Sequence, residues 1–83
     1  PYMVLLTTSD QELADRVCSI LEDAGIPVMI EHIDIYEENV IVSGYKLLAP
    51  PRFRETATRL VDIHLSLHET RSLITLRTAD YNH

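Results

Sequence analysis

The chain has a single cysteine, Cys18, so it can close no internal disulfide. That usage fits a reducing compartment, and a cytoplasmic location is the expectation. Its only two glycines are Gly25 and Gly44, and neither stands between a strand and a helix. A glycine-rich phosphate loop is thereby excluded. Long apolar runs are missing too: Met3-Val4-Leu5-Leu6 and Val40-Ile41-Val42 fall far short of the ~20 residues that span a bilayer, so no membrane partner is expected. The N-terminus shows no basic region followed by an apolar stretch and a small-residue cleavage site, which leaves secretion without support. Basic residues are few, 7 against 13 acidic, for a net charge of −6. Such a surface repels phosphate backbones, so nucleic acid is not expected as a partner. The basic residues gather in the second half, at Lys46, Arg52, Arg54, Arg59, Arg71 and Arg77, and scattered arginines of this kind read as a solvated face.

What remains is an ordinary globular composition, 46% hydrophobic and 24% charged, over 83 residues. One domain fits, burying roughly 60–65% of its unfolded surface in one modest core. Residues 2–78 are expected to be ordered, with 79–83 as a tail.

Tyr2 to Thr7 reads as a buried strand entering a helix. Ser9 and Glu12 have the spacing of a capping box, and Asp10 adds negative charge at the helix start. From Asp10 to Ala24, Leu13, Ala14, Val17, Ile20, Leu21 and Ala24 form one stripe, with Asp15, Arg16, Ser19 and Glu22 opposite. Gly25 then suits the left-handed position that ends a helix, with Ile26 as the apolar residue after it. Glu12 and Arg16 make an i,i+4 pair.

Val28 to Ile35 is strand-like but changes phase, since Val28 and Ile30 share one face and Ile33 and Ile35 the other. A bulge near Glu31-His32 would reconcile them. Tyr36-Glu37-Glu38-Asn39 reads as a hairpin loop, and Val40 to Ala49 as a returning strand that Gly44 bulges or splits. Pro50-Pro51 opens a second helix with a stripe of Phe53, Ala57, Leu60, Val61, His64, Leu67 and His68. Ile63 and Leu65 widen that stripe, which implies a second packing partner. Ser72 to Arg77 reads as a final edge strand. The order β-α-β-β-α-β implies an α+β domain of the ferredoxin-like, split β-α-β kind, an antiparallel sheet with two helices on one face.

The segments Val4-Leu5-Leu6-Thr7-Thr8-Ser9-Asp10, Leu21-Glu22-Asp23-Ala24-Gly25-Ile26-Pro27 and Tyr45-Lys46-Leu47-Leu48-Ala49-Pro50 resemble a family of small bacterial signal-transducing proteins. That family is similar in fold to the nitrogen-regulatory PII proteins, and the resemblance covers roughly residues 3 to 67. It implies a regulatory domain and carries over no functional residue. The Ala24-Gly25-Ile26 turn also resembles ACT-type regulatory domains, which bind amino acids between subunits. Those domains usually have Gly or Pro in the first strand-helix loop, where this chain has Thr7-Thr8-Ser9-Asp10.

Candidate chemistry is sparse. His64 and His68 have the i,i+4 spacing that lets two imidazoles reach one metal, but Leu65 stands where a zincin would have Glu, and a core or interface histidine is the plainer reading. His32 between Glu31 and Asp34 could serve acid-base chemistry, although neighbours along a strand point to opposite faces. Cys18 lies at the edge of the first helical stripe and reads as a buried, inert thiol. Ser9 lacks the G-x-S-x-G context of a nucleophile. No catalytic residue, cofactor or metal is therefore expected. The leading expectation is a non-enzymatic regulatory or protein-interaction domain that self-associates, using Tyr36, Glu37 and Glu38 of the acidic loop and Ile63 and Leu65 of the second helix. The alternatives are an ACT-like amino-acid binder and, behind it, a small metal-assisted enzyme.

Overall fold

The computed structural model describes residues 1–81, with side chains up to residue 67. Strand β1 (Met3–Thr8) leads into helix α1 (Gln11–Asp23), followed by the hairpin β2 (Met29–Glu37) and β3 (Val40–Ala49). A single 3-10 turn, Pro51–Phe53, then opens helix α2 (Arg54–Tyr81). The sheet is antiparallel throughout with β3 in the middle, order β1-β3-β2. The fold is thus α+β, with β3 inserted between the two strands of a split β-α-β unit.

The expected last strand does not form, because residues 72–77 continue α2. The physical reason is an absence of breakers. From Arg52 to His83 there is no Gly or Pro, so a helix that enters Leu73-Ile74-Thr75-Leu76 keeps every backbone bond and meets nothing that stops it. Of the expected tail, 79–81 also belong to α2 and the last two residues lie outside the described part. At 28 residues α2 is about 42 Å long. It outruns the sheet, in keeping with a radius of gyration of 14.9 Å against about 12 Å for a compact chain of this length.

Helix α1 starts one residue later than the capping box implied. Asp10 is the N-cap, its Oδ1 accepting from the Leu13 amide at 3.1 Å, while Thr8 Oγ1 accepts from the Asp10 amide at 3.0 Å. Asp and Ser cap about equally well, and here the Ser9 hydroxyl is turned instead to Glu37, donating to Oε1 at 3.2 Å. The C-terminus follows expectation. Gly25 has φ +79°, its amide donates to the Glu22 carbonyl, and the Ile26 amide donates to the Leu21 carbonyl, both at 2.9 Å. This is the Schellman pattern, and it drives Ile26 into the core at 2% exposure. Glu12 and Arg16 form the expected pair at 3.6 Å, exposed and so worth little.

One cluster holds the molecule together: Leu13, Ala14, Val17 and Leu21 of α1, Ile26, Leu47 and Ala49 of β3, and Ala57 and Val61 of α2. Because both helices share this cluster with the same strand face, both lie on one side of the sheet. Ile20 is half-buried and Leu67 exposed, so each stripe is narrower than its periodicity suggested. A register shift between Val4 and Leu6 makes Leu5 an extra residue in β1, which lets both Leu5 and Leu6 pack on the cluster.

The bulge therefore sits in β1, while β2 pairs with β3 without interruption from Met29 to Glu37. The phase change in β2 has another cause. Ile30 pairs with Leu47 on the helix side, whereas Ile33 pairs with Gly44 and Ile35 with Val42 on the open side. Gly44 neither bulges nor splits β3. A Cβ there would collide with Ile35 Cδ1 and stand 2.8 Å from Ile35 Cγ1 and 3.1 Å from the Thr8 carbonyl oxygen. Glycine is needed so that Ile35 can lie across the strand.

Candidate functional site

Two parts of the sheet differ in cover. Residues Tyr45–Leu48 of β3 have β1 on one side and β2 on the other, beneath the helices. Residues Val40–Gly44 pair only with β2. This second part, the hairpin arm, carries Tyr36, Val40 and Ile41 at 78%, 58% and 56% exposure. Tyr36 and Ile41 are cross-strand partners, so their side chains share one face and form a single apolar patch.

The arm closes in a two-residue turn. Glu38 and Asn39 have φ +48° and +68°, the left-handed pair of a type I′ hairpin, whose twist matches that of the strands. Tyr36 and Glu37 are consequently strand residues, not loop residues as the polarity of the segment suggested. The Ser9 to Glu37 hydrogen bond pins the end of β2 to the loop after β1.

A second exposed row crosses the open face of the sheet. Val4, Leu48 and Met29 are paired across all three strands, with Leu48 buried and its two flanking partners about half exposed. Beside it Lys46 stands between Thr7 and Glu31.

Of the residues picked from sequence, Tyr36, Glu37 and Glu38 cluster at the end of the arm. Ile63 is exposed on α2, while Leu65 is half-buried and packs on the core cluster. The two flanks of the stripe thus differ, with Ile63 turned outward and Leu65 partly inward. His64 is half-buried, and the side chain of His68 lies outside the described residues. Among the described residues no group of three His, Cys, Asp or Glu is placed to hold a metal. His32 is exposed and meets Tyr45 edge-on, ring centroids 5.3 Å apart. Asp34 shares its side of the strand and Glu31 faces the other way.

Cys18 is half-buried against the core, its thiol donating to Glu22 Oε1 at 3.3 Å. Burial first, then that hydrogen bond and the charges of Glu22 and Asp15, push its pKa from 9.0 up to about 11. The thiol is held protonated and unreactive at neutral pH.

Depressions among the described residues lie on the arm and on α2. One of about 210 Å³ lies on the arm among His32, Ile33, Asp34, Ser43 and Gly44. Another, about 520 Å³ and wide open, lies along the Arg54–Ile63 flank of α2.

No family model, no curated protein and no solved structure matches the chain. Function must therefore be argued from these surfaces. No described helix is long and apolar enough to cross a membrane.

Sequence reasoning missed Val4, Met29, Val40 and Ile41. Their apolar runs marked strands, but which residues the helices leave bare is set by packing between distant elements, and no local pattern encodes that.

Proposed function

We propose that the chain is a non-enzymatic regulatory domain of the signal-transducing kind, which acts by binding protein and also associates with itself. The observation that supports this most is the arm. Within six residues it presents Tyr36, Val40 and Ile41, each more than half exposed, on a strand pair that no helix covers. An aromatic and a β-branched residue opposite each other, with Glu38 of the turn beside them, make a compact contact patch for a partner with an apolar centre and a basic rim. The signalling assignment itself rests on the resemblance of the strand and helix ends to the bacterial family.

A photo-reactive phenylalanine analogue placed at position 36 tests the reading in cells. Discrete adducts to a reproducible protein partner at position 36, absent when the analogue replaces Asp15, are the expected result. Adducts no more specific at 36 than at 15 would contradict it.

The ACT-like reading draws on the depression at His32, Asp34 and Ser43, whose polar groups converge. Its volume of about 210 Å³ falls below the ~300–1,000 Å³ of ordinary small-molecule sites, which ranks it second. A thermal-shift screen of the amino acids separates the two, since a ligand that binds only the folded state raises the melting temperature.

A further inference from the structure

The two edges of the sheet are built differently. Strand β2, at one edge, carries Glu31, His32, Asp34 and Glu37 among its nine residues. Strand β1, at the other, reads Met-Val-Leu-Leu-Thr-Thr, with no charge and no proline. An edge strand exposes a row of unpaired amides and carbonyls that invites any passing strand, and charged side chains are a usual guard against it. The β2 edge has that guard and the β1 edge does not. The bulge at Leu5 bends β1 but places no charge on it. Among the described residues no strand pairs with its outer side, and the segment 72–77, expected as a last edge strand, runs on in α2.

We propose that the outer edge of β1 pairs, antiparallel, with β1 of a second copy of this chain. The two sheets then form one of six strands, β2-β3-β1-β1-β3-β2, with all four helices on one face. This rests on the reading that the chain self-associates and names the surface that does it. Charge selects the occupant. Each copy carries a net −6, so close approach of two copies is favoured where acidic residues are absent, and β1 is the edge strand without them. Antiparallel pairing through β2 centred on Asp34 would instead set Asp34 against its own copy and Glu31 against Glu37, where like charges directly opposite are destabilising. A two-fold axis through the middle of β1 makes the contact self-complementary. It sets Val4 of one copy opposite Thr7 of the other, both on the open face. The row Met29-Leu48-Val4 of one copy then runs on into the row Thr7-Lys46-Glu31 of the other. A six-residue pairing is a small interface, so a weak dimer is expected.

Sedimentation velocity between about 5 and 200 µM tests this. The parent protein should pass from monomer to dimer in that range, and Ile41→Lys, on the arm, should do the same. The double variant Val4→Lys/Thr7→Lys, both at exposed positions, should stay monomeric with an unchanged far-UV circular dichroism spectrum, its dimer weakened at least about 10-fold. A parent that is monomeric at the top concentration overturns the proposal together with self-association. A dimer that the double variant leaves intact overturns the β1 edge alone, and neither result bears on the cross-link at position 36. Should the double variant misfold, hydrogen exchange of the parent decides: amides of residues 3–8 that slow with rising concentration support the pairing, and amides indifferent to it overturn it.

Discussion

The base of the β2–β3 hairpin and its arm are one continuous pair of strands under two different physical regimes. At the base, Leu47 and Ala49 are buried at 0% and 1% exposure between β1, β2 and two helices. In the arm, at the start of the same strand, Val40 and Ile41 are more than half exposed. Both stretches carry large apolar residues, so hydrophobicity does not separate them. Cover does: the helices reach only as far as β1 does. The apolar residues of the arm meet each other across the open face, as Ile33 and Ile35 do, or stay exposed, as Tyr36 does. Stability is concentrated in the base, and the surface free for contact lies in the arm and along the β1 edge.

The largest expected break in this comparison is at the base. Leu21, fully buried in the cluster, should cost roughly 2–5 kcal/mol when cut to Ala. Asp15→Ala, on the exposed side of the same helix, should stay within about half a kcal/mol. Urea denaturation of the two variants beside the parent reads the difference directly.

At the junction of base and arm, Gly44→Ala should destabilise by about 1–3 kcal/mol, the cost of overpacking. Exchanging Gly for Ala ordinarily helps a strand, but here the new methyl meets Ile35 and the Thr8 carbonyl, and the clash outweighs the entropy. Pairing Gly44→Ala with Ile35→Val, which shortens the colliding side chain, should recover part of the loss in the same titration.

Within the arm the effect should reverse sign. Glu38 holds φ +48°, a conformation that costs a non-glycine residue about 1 kcal/mol. Glu38→Gly should therefore raise the denaturation midpoint, by less than that amount because Gly adds freedom to the unfolded chain.

Cys18 gives the mildest effect, on the helix that roofs the base. Its thiol is raised to about 11 from 9.0 in the folded protein, so the folded state holds the proton more tightly than the unfolded one. That contribution to stability is complete below pH 9 and is lost as pH rises through 11. Cys18→Ala should flatten the fall in stability across that window. Alkylation of the native protein by iodoacetamide should stay slow at pH 8 and accelerate only toward pH 11.

How much of this was legible in the sequence follows the range of the interactions involved. Helix α1 could be read closely, because Leu13, Val17 and Leu21 recur at helical spacing and Gly25-Ile26 ends the helix with local hydrogen bonds. The hairpin and its order in the chain were equally plain. The N-cap slipped from Ser9 to Asp10 because the two residues cap equally well and the choice was made by Glu37, distant in sequence. Leu73, Ile74 and Leu76 suit a strand or a helix, and the deciding fact was the lack of any breaker after Pro51. The arm was read as a polar loop because Glu37, Glu38 and Asn39 dominate its composition, whereas positive φ at just two residues suffices to turn the chain. Exposure of Tyr36 and Ile41 depends on how far β1 extends, a tertiary fact with no local signature.

The central claim, that one core holds the base while the arm stands apart from it, is tested most directly by native-state hydrogen exchange resolved by residue. Amides of Tyr45 to Ala49 should exchange only through global unfolding, and those paired in the arm, from Asp34 to Ser43, should exchange at least about 100-fold faster through a local opening. Equal protection along the whole of β3 would contradict the account, for it would mean that arm and base are held by the same core.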